Sequence, residues 1–83
     1  MNFEHRDKVN NIEKIINELI DNTESYLDYL QTQKNNQDVK YHRTLSLAIT
    51  EANDLNKILC SIVMDRLMRI KDRQIILDKM NDQ

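Results

Sequence analysis

The sequence predicts an all-α protein: an antiparallel helical hairpin with a longer second helix, dimerising into a four-helix bundle. Three observations point there. The 83-residue chain contains no glycine and no proline, and β-hairpins and tight turns usually need one or both. Apolar residues recur at helical spacing along most of the chain. Lys34-Asn35-Asn36-Gln37-Asp38 is the only stretch that reads as a connection. It is polar, has no apolar periodicity, and is short enough to favour antiparallel neighbours.

The first helix is expected over about residues 3–33. Val9, Ile12, Ile16, Leu19, Thr23, Tyr26 and Leu30 are spaced alternately three and four apart, the seam of a left-handed helix pair. Ile15, Ile20, Leu27 and Tyr29 widen that stripe, which suits a helix with two neighbours. The connection is expected at about residues 34–38, with Asn36 or Asp38 as N-cap of the next helix.

The second helix is expected over about residues 39–81, and the chain is organised around it. Its centre, Ile58-Leu59-Cys60-Ser61-Ile62-Val63-Met64, is apolar on more than one side, and one partner helix covers only one face. Folding back at about residue 36 pairs Leu30 with His42, Leu27 with Leu45, Thr23 with Ala48 and Ala52, Ile16 with Leu55, and Ile12 with Leu59. That register sets Asp28 beside Arg43, and Glu4 and Asp7 beside Arg66 and Arg69. At ~1.5 Å per residue the helices span about 45 and 60 Å, so residues from about Lys71 onward overhang the hairpin. A second layout breaks this helix at Asn53-Asp54 and gives a three-helix bundle.

The composition narrows the function classes. Eighty-three residues make one small domain with a limited core, and such domains often rely on disulfides, metal or oligomerisation. Cys60 is the lone cysteine, so no internal disulfide forms, and no Cys/His cluster offers a zinc site. Self-association is the remaining route, and a homodimer is expected. Net charge is −2, which gives no overall case for nucleic acid. The charge is uneven: residues 1–30 carry seven acids against three bases, and residues 31–83 carry nine bases against seven acids. No signal peptide or membrane-length apolar run is present, so a cytoplasmic protein is expected. The richness in Asn, Ile, Lys and Asp resembles AT-rich genomes, including those of phages and plasmids.

No catalytic, cofactor-binding or metal-binding residue is assigned, because the chain has no phosphate loop, no nucleophile elbow and no H-E-x-x-H. The chain is therefore read as a non-enzyme. Thr50-Glu51-Ala52-Asn53-Asp54-Leu55 does not match, in order or spacing, the Ser-Gln-Glu-Leu-Asp motif of the small aspartyl-phosphate phosphatases, which are also short helical hairpins. Cys60, inside the apolar segment, reads as a small hydrophobe.

The expected self-association interface is Ile58, Leu59, Ile62, Val63, Leu67, Ile70 and Leu77. The candidate partner-binding residues are Tyr26, Tyr29 and Tyr41 at the turn end, and Arg66, Arg69, Arg73, Ile76 and Met80 toward the C-terminus. Aromatic and arginine side chains are common anchors at protein interfaces. The function expected is that of a small regulator, adaptor or inhibitor acting by protein–protein contact through helical surfaces. The alternatives are a nucleic-acid-associated regulator using Arg66, Arg69, Lys71 and Arg73, and a structural assembly or scaffold piece.

Overall fold

The computed structural model describes residues 4–36 and 39–81, and every one of them is helical. α1 is Glu4–Asn36 and α2 is Val39–Ile58; a π-helical turn spans Leu59–Val63, and α3 is Met64–Asn81. α2, the π turn and α3 follow one another without a break and make one long arm. α1 is the other arm and lies antiparallel to it. The hairpin measures 65 × 17 × 12 Å, with a radius of gyration of 18.7 Å. A compact chain of this length would have a radius of about 12 Å.

Several expectations are corrected at the level of the elements. α1 continues through Lys34 to Asn36, so Asn36 ends the first helix and does not cap the second. A lysine in the last turn suits the negative end of the helix dipole. Asp38, the other proposed cap, lies outside the described residues. The three-helix layout is also ruled out, since Asn53 and Asp54 lie inside α2. Ala52 and Leu59 carry the apolar face past them, and both are buried.

Ile16, Leu30, Ala52, Leu59 and Leu67 are buried among the described residues, with Leu67 only 1% exposed. On α1 the residues turned to the second arm are Val9, Glu13, Ile16, Ile20, Thr23, Leu27 and Leu30, all buried or half-buried. Four of the seven predicted seam residues, Val9, Ile16, Thr23 and Leu30, therefore face inward. The other three, Ile12, Leu19 and Tyr26, stay 42–50% exposed. A helix in a two-helix layer has one neighbour, and one neighbour covers one stripe.

The π turn decides what α3 presents. The Met64 N–H reaches the Leu59 carbonyl five residues back, so this turn holds one residue more than an α turn. Ser61 Oγ donates to the Lys57 carbonyl at 2.6 Å, a back-bond typical of irregular helix turns. Upstream, the seam runs Ala52, Asn56, Leu59, Val63. An unbroken three–four spacing would continue with Arg66, Ile70, Arg73 and Leu77. The extra residue turns α3 by about 100°, and Leu67, Lys71, Gln74 and Asp78 come to the seam instead. After Met64 these are the buried or half-buried positions of α3, whereas Arg66, Ile70, Arg73 and Leu77 are exposed.

The predicted register and charge pairings are corrected for the same reason. Lys71 Nζ donates to Glu13 Oε2 at 2.7 Å. Arg6 Nε and Nη2 donate to Asp78 Oδ2 at 3.2 and 2.8 Å. α3 therefore reaches α1 through side chains as far as Asp78, and the break-away expected at Lys71 does not occur, although the 43-residue arm still runs past the start of the 33-residue α1. Arg43 makes no ion pair with Asp28, and Arg66 and Arg69 make none with Asp7, among the described residues. Near mid-arm, Asn56 Nδ2 donates to Thr23 Oγ1 at 2.8 Å. Helical side chains lean toward their own N-termini, so in an antiparallel pair long partners meet across a stagger. The short Thr23–Asn56 pair thus reports the backbone register more directly than Glu13–Lys71.

Two predictions test this account. Leu67→Ala is expected to cost about 2–4 kcal/mol of unfolding free energy in urea titration, as for other fully buried leucines. Deletion of Cys60 removes the extra residue, and an unbroken α-helix then still carries Leu67, Lys71, Gln74 and Asp78 to the seam. The expected result is a folded hairpin with Tm within roughly 5 °C of wild type, whereas deletion of Asp65 together with Cys60 turns α3 a further step and is expected to lower Tm by roughly 10 °C or more. A collapse of Tm on deletion of Cys60 alone would show that the π turn is not an accommodated extra residue.

Candidate interaction surface

Sixteen large apolar side chains are exposed among the described residues, against five buried apolar residues. Most of them gather on one side, while Ile75 and, one heptad before it, Met68 lie on the other. On α1, Ile12, Leu19 and Tyr26 repeat every seven residues along one flank of the seam, with Ile15 beside them. On the long arm, helical spacing puts Leu47, Leu55, Ile58, Ile62, Ile70 and Leu77 along one flank once the extra residue of the π turn is counted. Both flanks belong to the same broad side of the hairpin. Leu19 and Tyr26 line one groove with Ala48, Ala52 and Leu55. Tyr26 and Ala48 also line the neighbouring groove, with Tyr29, Leu30, Tyr41 and Leu45. The opposite side is polar by comparison. A groove there is lined by Arg6, Asn10, Gln74 and Asp78 beside Val9 and Ile75.

The predicted self-association residues divide accordingly. Leu59 and Leu67 are buried within the hairpin and Val63 is half-buried; α1 covers them, so they are not available to a second molecule. Ile58, Ile62, Ile70 and Leu77 remain 44–61% exposed on the apolar side. Ile12, Ile15, Leu19, Leu47 and Leu55 belong to the same surface and were absent from the expected interface. The heptad repeat of Ile12, Leu19 and Tyr26 was a legible signal. A sequence does not say which of two adjacent stripes the nearest helix takes, so along the chain this repeat reads as part of the internal seam.

The candidate partner-binding residues fall in two places. Tyr26, Tyr29 and Tyr41 come together at the turn end. Tyr26 and Tyr29 stack, with centroids 6.1 Å apart and planes inclined by 22°, and Lys40 Nζ sits 5.3 Å from the centroid of the Tyr41 ring. Each tyrosine is about half exposed, so its ring is open to a partner. Arg66, Arg69 and Arg73 are exposed toward the outer edge of α3, as are Ile76 and Met80. Arg69 Nε donates to Asp65 Oδ2 one turn back at 3.1 Å, with both side chains about 60% exposed; such a pair is worth about 0.3–0.5 kcal/mol. Lys71 does not join this row, because it turns to Glu13 across the seam.

Among the described residues, no three His, Cys, Asp or Glu side chains gather as a metal site. Cys60 is exposed, with its thiol directed to Asn56 Oδ1 at 3.8 Å, and so is not the buried hydrophobe expected. No helix among them is long and apolar enough to cross a membrane. No protein-family model, curated protein or solved structure matches the chain.

The half-buried ion pair at the open end is testable. A double-mutant cycle on Glu13→Ala and Lys71→Ala is expected to give a coupling energy of about 0.5–1 kcal/mol that shrinks with added salt. Strict additivity would show that the pair contributes nothing to the register.

Proposed function

We propose that this chain is a small non-enzymatic regulator, adaptor or inhibitor that acts by protein–protein contact, with two hairpins packed into a homodimeric four-helix bundle. The observation that carries this reading is the one-sided apolar surface. The chain exposes 6616 Å², about 1,400 Å² above the ~5,200 Å² expected of a compact monomer of this mass. That excess belongs to the elongated shape and counts polar and apolar surface alike; a standard interface buries about 800 Å² per partner, so a second hairpin laid on one side would bring the surface back to the compact range. Monomeric proteins seldom leave apolar stripes of this length in water.

Within this reading Ile76 and Met80 at the outer edge of α3, and Tyr29 at the turn end, serve a further protein partner. Flexible apolar side chains beside an aromatic ring suit docking against another helix or groove. A cytoplasmic setting fits the lone thiol. The nucleic-acid reading draws on Arg66, Arg69 and Arg73, which share one exposed edge. It is weakened by Lys71, which is engaged by Glu13, and by Asp65 beside Arg69.

Light scattering after size exclusion tests the proposal. A species near twice the 10.0 kDa chain mass, persisting on dilution into the micromolar range, is expected. Ile62→Lys, which puts a charge in the apolar surface, is expected to shift that species to monomer while far-UV circular dichroism stays helical. A folded monomer at every concentration would overturn the homodimer. Assemblies that grow with concentration would favour the scaffold reading.

A further inference from the structure

We infer that the apolar side of the hairpin is occupied by a second copy of this chain in one orientation, face to face and end to end reversed. The two-fold axis would pass Leu19 of α1 and the midpoint between Ile58 and Ile62 on the long arm. The inference rests on the homodimer reading above and adds the orientation and the contacts.

Charge placement selects the orientation. Along the exposed flank of the long arm the order is Leu47, Glu51, Asp54, Ile58, Ile62, Arg66, Arg69, Arg73. This order is self-complementary about position 60. Reversing a second arm over the first sets Ile58 against the partner's Ile62, Asp54 against the partner's Arg66, and Glu51 against the partner's Arg69. Leu47 then lies along the aliphatic stem of the partner's Arg73. Glu51, Asp54, Arg66 and Arg73 are exposed and make no ion pair within the hairpin among the described residues. Arg69 holds only the exposed, weak pair with Asp65. Opposite charges facing across an interface fix register and orientation.

α1 independently gives the same axis. The Thr23–Asn56 hydrogen bond defines the mid-arm register. Four residues toward the N-terminus on α1, and four toward the C-terminus on the long arm, bring Leu19 level with position 60. The exposed heptad stripe Ile12, Leu19, Tyr26 is symmetric about Leu19, so reversal packs Leu19 on the partner's Leu19 and Ile12 on the partner's Tyr26. Position 20 is the midpoint of Glu4–Asn36 and position 60 that of Val39–Asn81. Both arms therefore overlap over their full lengths, and no apolar end is left uncovered.

The competing two-fold arrangement, with both turns at the same end, is less complementary in charge. It lays Arg66, Arg69 and Arg73 over the first half of the partner's α1, where Asp7 and Glu18 lie at the flank, but it lays Glu51 and Asp54 over the second half, and residues 15–33 contain no lysine or arginine. Those two carboxylates would lose water there without meeting a base, and desolvated charges need partners.

Charge reversal in trans tests the orientation. Two variants are made, E51K/D54K and R66E/R69E. Each alone sets like charges against each other across the axis, and is expected to raise the dimer dissociation constant about tenfold or more at low salt. An equimolar mixture restores both sets of opposite charges, so it is expected to form the heterodimer with near wild-type affinity, read by light scattering and native mass spectrometry. Leu19→Cys in a Cys60→Ser chain gives a second readout: mild oxidation is expected to yield a covalent dimer through position 19. Wild-type dimers whose charge variants neither weaken alone nor recover on mixing, and whose position-19 thiols stay reduced, would overturn this orientation and leave the homodimer standing. A wild-type chain that stays monomeric would overturn both.

Discussion

Two helices laid side by side can hide one stripe each, and no more. That constraint governs the whole molecule. The hairpin has a seam in place of an interior, and five side chains complete its buried apolar set among the described residues. Every apolar residue beyond the seam stripe must sit on a flank in water, or wait there for another surface. Here most of the surplus is on one side, because the flanking stripes of both arms fall on the same face of the pair.

The π turn shows how a local irregularity sets a long-range outcome. One additional residue at Leu59–Val63 rotates all of α3, so that Leu67 enters the seam and Lys71 and Asp78 meet Glu13 and Arg6. If the same residues continued as an unbroken α-helix, Arg66, Ile70, Arg73 and Leu77 would face α1 in place of Leu67, Lys71, Gln74 and Asp78. π turns are often found at functional positions. Here the turn divides the long arm into two halves that present different chemistry on one flank: Glu51 and Asp54 before it, Arg66, Arg69 and Arg73 after it.

The seam also shows how a marginal structure holds its register without a large core. Thr23 sits between two bonds, accepting from Asn56 Nδ2 while its own hydroxyl donates to the Ile20 carbonyl. Its small size lets the arms approach at mid-length, where Ala48 and Ala52 line the same groove. Partly buried polar pairs add little net stability, but a slip by one residue breaks all of them together. Register therefore comes from several weak, specific contacts acting in concert with Leu59 and Leu67.

The helical class, the two-arm layout and the approximate turn were legible in the residues themselves. They follow from composition and from three–four spacing, and these are properties of the chain taken a few residues at a time. The apolar segment at Ile58–Met64 could be recognised as special for the same reason. Its π geometry could not, because an extra residue in a helix is chosen by which side chains the opposite arm can accept. Tertiary structure alone decided that Ile12, Leu19 and Tyr26 lie outside the seam, that Asp78 and not Arg66 meets the start of α1, and that the exposed apolar stripes share one face. Each of these depends on the rotation of one helix about its axis relative to another, and a one-residue change in phase, about 100°, is invisible to any pattern read along a single strand of sequence.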